Sequence, residues 1–159
     1  MTIQTGDKIP DCTFTVMQEK GPAPLSTGDL FGGKTVVLFS VPGAFTPTCS
    51  ARHLPGFVDL ADEILAKGVD TIACMAVNDV FVMNAWGKNA NADKIQMLAD
   101  GNGDFTRAIG LELDATGFGM GQRSQRFALV ARDGLITHLF IEGPGEFDLS
   151  SAENILSSI

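Results

Sequence analysis

The chain has 159 residues, enough for one domain with its own core, and 45% of them are hydrophobic against 19% charged. Its net charge is −8 and its 11 basic residues are scattered, which excludes nucleic-acid phosphates and anionic membrane surfaces as partners. Apolar runs such as Val36–Phe39 fall far short of the roughly 18 residues a membrane span takes, and the N-terminal stretch has neither a secretory nor a transit pattern, so a cytoplasmic protein is expected.

In chain order, Cys12 lies in an N-terminal segment of strand character. Thr35–Ser40 and Thr71–Val77 are short, β-branched and nearly continuously apolar, as strands covered on both faces are. Between them Leu54, Phe57, Val58, Ala61, Ile64 and Leu65 recur at helical spacing, and Lys67-Gly68 closes the element. Strand, helix, strand is a βαβ unit, so the two strands are expected to run parallel. Asn78 or Asp79 caps a further helix to about Asn89, Ile95–Ala99 forms a short strand, and Thr106–Ile109 is a helical turn ended by Gly110. Asp133-Gly134 joins Arg126–Ala131 to Leu135–Ile141 as a hairpin. Ser150 with Glu153 reads as a capping box for a terminal helix carrying Ile155, Leu156 and Ile159 inward. These elements predict a single α/β domain over residues 1–159, of thioredoxin-like architecture, with a central mixed sheet flanked by helices.

Chemistry concentrates in Pro42-Gly43-Ala44-Phe45-Thr46-Pro47-Thr48-Cys49-Ser50, directly after a buried strand, where ligands of open α/β sheets bind. Thr46 or Thr48 as cap and Pro47 at the first position put Cys49 in the first turn of a helix, whose free N–H groups favour a thiolate. An arginine from elsewhere would complete the electrostatics. Pro55, six residues on, should kink or break the helix, leaving the cysteine turn a separable piece that frays cheaply. The bland reading of Cys49 is a small buried hydrophobe, but its polar, proline-bracketed surroundings favour reactivity.

Other candidates are weaker. His53, four residues after Cys49, is compatible with a cysteine–histidine pair, though a packing histidine is the commoner outcome. Cys74 sits in an apolar strand, where a core thiol is the default. Three cysteines without a C-x-x-C, and two histidines, offer no zinc spacing. Gly117–Gly121 matches neither a dinucleotide fingerprint nor a P-loop and suggests a mobile loop near the pocket.

Pro42-x-x-x-Thr46-x-x-Cys49, within Val41–Phe57 (VPGAFTPTCSARHLPGF), resembles the peroxiredoxin signature in its type II/peroxiredoxin-5 form. The similarity continues through Val77-Asn78-Asp79, Ala85-Trp86-Gly87 and Arg126-Phe127-Ala128-Leu129 to the C-terminal helix. The resemblance implies a thioredoxin fold and a thiol peroxidase acting on hydrogen peroxide and alkyl hydroperoxides with no metal or organic cofactor. It implies that Cys49 is oxidised to a sulfenic acid, that Thr46 hydrogen-bonds thiolate and peroxide, that Pro42 shields the sulfur, and that Arg126 orients the peroxide. By the local pattern alone Arg126 is equally well a solvated strand-end charge. The resemblance further implies glutathione, glutaredoxin or thioredoxin as reductant and a homodimer with Phe45 near its interface. Plant-type relatives place a proposed resolving cysteine 25 positions after the peroxidatic one, the offset of Cys74 from Cys49 (74 − 49 = 25). The rival from another class is a redox sensor or oxidation-switched holdase using the same cysteine.

Overall fold

The computed structural model describes residues 1–159. Strands β1 (Thr13–Gln18) and β2 (Gly21–Ser26) form an antiparallel hairpin, and β2 lies at the sheet edge. An edge strand tolerates Pro22 and Pro24, whose missing N–H groups would break a ladder inside the sheet. Those prolines hide β2 from a reading based on strand propensity. Helix α1 (Thr27–Phe31) follows, its N-terminus capped by Ser26, whose hydroxyl accepts from the Asp29 N–H.

Strand β3 (Thr35–Ser40) and β4 (Thr71–Ala76) pair in parallel, with α2 (Leu54–Leu65) as the crossover, as the alternating pattern predicts. Asp79 caps α3 (Val80–Asn89) by accepting from Val82 N–H at 2.8 Å. Strand β5 (Ile95–Ala99) then pairs parallel to β4. Helix α4 (Asp104–Ile109) ends on Gly110 in the left-handed region (φ 72°). Two short strands with no sequence signal, β6 (Glu112–Asp114) and β7 (Gln122–Ser124), make a separate antiparallel ladder. The glycine-rich stretch is the turn between them, with a 3-10 segment at Thr116–Phe118.

The expected hairpin is β8 (Phe127–Arg132) and β9 (Leu135–Ile141), with Asp133 and Gly134 both at positive φ. The terminal helix α5 (Ala152–Ser158) is capped by Ser151, which accepts from Asn154 N–H. This corrects the expected capping box by one residue, because Ser150 is engaged elsewhere.

The sheet order β2-β1-β5-β4-β3-β8-β9 is that of a mixed, seven-stranded, thioredoxin-like fold. Successive residues of β3 feed two apolar layers. Val37 and Phe39 pack with α2, α3 and α5, while Val36 and Leu38 pack with α1 and α4. No helix is long and apolar enough to cross a membrane. Strand β8 runs antiparallel to β3 with Phe127 opposite Ser40. Arg126, one residue before β8, therefore lies at the carboxyl end of β3, where the segment to Cys49 departs.

Candidate active site

The segment leaving β3 is held at both ends. Val41 N–H donates to the Met75 carbonyl, extending the β3–β4 ladder, and Ala44 N–H donates to Asn78 Oδ1 at 2.9 Å. Phe45 sits at φ 64°, an uncommon conformation for a bulky residue, which turns the chain sharply. The Thr46 hydroxyl donates to the Gly43 carbonyl at 2.6 Å, and Ser50 N–H donates to the Thr46 carbonyl at 2.9 Å. Neither Thr46 nor Thr48 caps with its side chain.

The helical run begins at Pro47 and Thr48, with Cys49 in its first turn as expected, but from Cys49 to His53 it is of π type and runs directly into α2. Leu54 N–H donates to the Cys49 carbonyl, five residues back. Pro55, in the first turn of α2, has no N–H to continue an ordinary helical ladder backwards, and the widened turn absorbs that loss. The expected break thus appears as a change of helical pitch. Trp86 Nε1 donates to Ser50 Oγ at 3.0 Å, tying the turn to α3.

The sulfur of Cys49 is fully buried, and Arg126 Nη2 donates to it at 3.0 Å. Arg126 is in no salt bridge: the two ion pairs, Lys94–Asp62 and Arg107–Asp104, lie elsewhere. Its Nη1 donates at 2.8 Å to Nδ1 of His53. On the other side of that ring Nε2 lies 2.9 Å from the Ser150 carbonyl, which can only accept, so Nε2 carries the proton. His53 is fully buried, its ring against those of Phe39 and Phe147 at centroid distances of 4.9 Å and Phe57 at 5.7 Å. Burial first, and the Arg126 charge second, bring its pKa down to about 3. The imidazole is neutral.

Ser150 is fixed in turn by Glu142, just beyond β9. One carboxylate oxygen accepts from Ser150 N–H (2.8 Å), Ser150 Oγ (2.7 Å) and Asp148 N–H (2.7 Å). Burial would raise this carboxyl, but those hydrogen bonds outweigh it and hold the group below its ordinary value. Glu142, Arg126, Gln125, Pro42 and Thr48 line a cleft of about 330 Å³, which meets the buried sulfur through Arg126.

The four residues named for the reaction are thus brought to one region. Cys49 and Arg126 are in contact, Pro42 borders the cleft, and Thr46 directs its hydroxyl proton to Gly43. His53 bonds Arg126, and no hydrogen bond joins it to Cys49. Its position on the same turn as Cys49 was the available signal. Glu142 and Ser150 carried none. Cys74 is fully buried in β4, facing the same apolar layer as Cys49, and burial pushes its thiol up, with Cys49 adding and Arg126 opposing. All three cysteines are free. Cys12 precedes β1, and burial, then Asp100, Asp104 and Asp11, raise its thiol. No three His, Cys, Asp or Glu side chains gather as a metal site would require.

The redoxin family profile matches residues 4–156. The chain is 48% identical to Peroxiredoxin-2B of Arabidopsis thaliana over 159 residues, covering 99% of this chain and 98% of that one. It is 46% identical to the chloroplastic Peroxiredoxin-2E of the same plant over 169 residues, covering 99% of this chain and 70% of that one. The crystal structure of reduced Prx3 from Vibrio vulnificus in complex with H2O2 superposes with a TM-score of 0.96 at 51% identity, covering 99% of both chains.

Proposed function

The chain belongs to the redoxin family, in its type II peroxiredoxin branch, and from that premise we propose that glutathione, directly or through glutaredoxin, regenerates the cysteine with which it reduces peroxides. The chain is a thiol-dependent peroxidase. In our reading the Cys49 thiolate attacks the terminal oxygen of hydrogen peroxide or an alkyl hydroperoxide. A sulfur–oxygen bond forms, the oxygen–oxygen bond breaks, and the leaving oxygen takes a proton and departs as water or alcohol. The sulfenic acid condenses with a glutathione thiol, releasing water, and a second thiol removes the glutathione as a disulfide. Electrons come from thiols throughout, so the cycle calls for no metal or organic cofactor.

The observation that carries this assignment is the 3.0 Å contact from Arg126 Nη2 to Cys49 Sγ at the cleft. A donor already oriented at the sulfur stabilises charge spreading over the breaking bond without reorganising. Thr46 gives its proton to Gly43, which leaves its lone pairs for a peroxide O–H. Pro42, with no N–H, borders the cleft and limits water at the sulfur. The Vibrio vulnificus structure holds H2O2, which supports a peroxide as the substrate here.

An external reductant suits the surroundings of Cys74: a buried strand residue reaches Cys49 only if strand and turn both move. Thioredoxin is the alternative donor for the same chemistry. Peroxide-dependent NADPH oxidation, coupled to glutathione reductase with and without glutaredoxin, or to thioredoxin and its reductase, separates the two. Turnover with the glutathione system is expected; turnover with thioredoxin alone would overturn the reductant assignment. A reducing compartment such as the cytoplasm fits three free cysteines.

Phe45, Phe81 and Phe118 are 50%, 64% and 87% exposed. Phe45 follows Ala44, which bonds Asn78, and Phe81 lies three residues beyond Asn78; exposed aromatic side chains of this kind suit a homodimer. Sedimentation should give twice the monomer mass, and Phe118→Asp should shift it toward the monomer.

A further inference from the structure

We propose that His53 is a positioning residue for the peroxidase reaction, a neutral imidazole whose Nδ1 accepts from Arg126 Nη1 and so aims Nη2 at Cys49. The inference rests on the reading that Arg126 acts on Cys49. A guanidinium has five N–H donors in a rigid plane, so fixing one edge fixes the direction of the rest. The usual buried partner for such a group is a carboxylate, which would hold it as well but would cancel its charge. Arg126 has none within salt-bridging distance. With a neutral acceptor, its full charge remains available to the sulfur.

The ring must accept at Nδ1 and keep its proton at Nε2, and the Ser150 carbonyl at 2.9 Å enforces that tautomer. Glu142 holds Ser150, so a line of hydrogen bonds runs from a buried carboxylate through Ser150 and His53 to Arg126. The charged or titratable groups around His53 are Arg126 from the start of β8, Glu142 beyond β9, Cys49 on its own turn, and Arg52, stacked on Phe147 at 4.7 Å. Two of these are cations, and the three phenylalanine rings cannot solvate a third charge.

Two substitutions separate the ring's two bonds. His53→Asn keeps an acceptor at the Nδ1 position and loses the reach to Ser150; His53→Gln keeps a donor near the Nε2 position and loses the acceptor. The second-order rate of Cys49 oxidation by H2O2, measured in single turnover, should stay within about threefold of wild type in His53→Asn. In His53→Gln it should fall on the order of tenfold to a hundredfold, as misplaced groups commonly do, and Cys49 alkylation should need higher pH. A packing role would lower the melting temperature of both variants without moving that pH profile. Imidazole 15N shifts of the wild-type protein need no variant, and should show Nδ1 unprotonated from pH 8 to 5. Wild-type rates and profiles in both variants, loss in His53→Asn alone, or an Nδ1–H or ordinarily titrating ring would overturn the inference. If Arg126→Ala also reacts at the wild-type rate, the reading of Arg126 fails first, and separably.

Discussion

Beside Cys49, Arg126 supplies the charge. Arg126→Ala removes the charge, and loss of one preorganised donor costs on the order of a hundredfold or more in comparable sites. Stopped-flow reaction with H2O2 should show that slowing, and Cys49 alkylation should shift to higher pH; unchanged values in both would exclude the role. Cys49→Ser is nearly isosteric and should fold normally, with no peroxide consumed in the glutathione-coupled assay. Cys74→Ser should retain most of that activity, and mass spectrometry after one equivalent of peroxide with glutathione present should find glutathione on Cys49. Quantitative Cys49–Cys74 disulfide, with activity lost in Cys74→Ser, would make Cys74 the resolving thiol. Cys49 was legible because it stands in a distinctive turn; Arg126 was named through the family resemblance, since its local pattern fits a solvated strand-end charge equally well. His53 was legible only as a neighbour of Cys49, since its real partners are 73 and 97 residues away.

The strands and helices of the βαβ unit and the Asp-Gly hairpin were readable because their patterns are local. The hairpin partner β2 was not, since its prolines suit only an edge and edges are decided by the whole sheet. The π turn was half readable: Pro55 announced a disturbance in the helix, but a wide turn and a break leave the same trace in sequence. Its anchorage was invisible, because Ser50 meets Trp86 from a different helix. Trp86→Phe should remove that one bond, worth about 1 kcal/mol. Hydrogen exchange of the Leu54 amide, which donates to Cys49, should then quicken roughly fivefold. Unchanged exchange would mean that the turn is held by packing alone.

At the scale of the molecule, two buried groups make folding sensitive to acid. His53 is neutral in the folded state down to about 3, whereas an unfolded histidine gains its proton near 6.5. The unfolded chain therefore binds more protons in that window, and stability, complete above 6.5, falls by up to about 1.4 kcal/mol per unit as pH drops through it. Glu142 acts in the same direction at lower pH, stabilising above its unfolded value and losing that contribution as pH falls through its depressed folded one. Melting temperature should decline from pH 7 to pH 5, and less steeply in His53→Asn; equal slopes would show that His53 does not titrate on unfolding. The antiparallel seating of β8 against β3 has a further consequence. Arg126 comes from 77 residues beyond Cys49, through a strand near the end of the chain. If Arg126 assists the sulfur as proposed, a half-assembled chain carries an unassisted thiol until the β8–β9 hairpin docks. On that reading, reactivity at Cys49 is among the last properties that folding supplies.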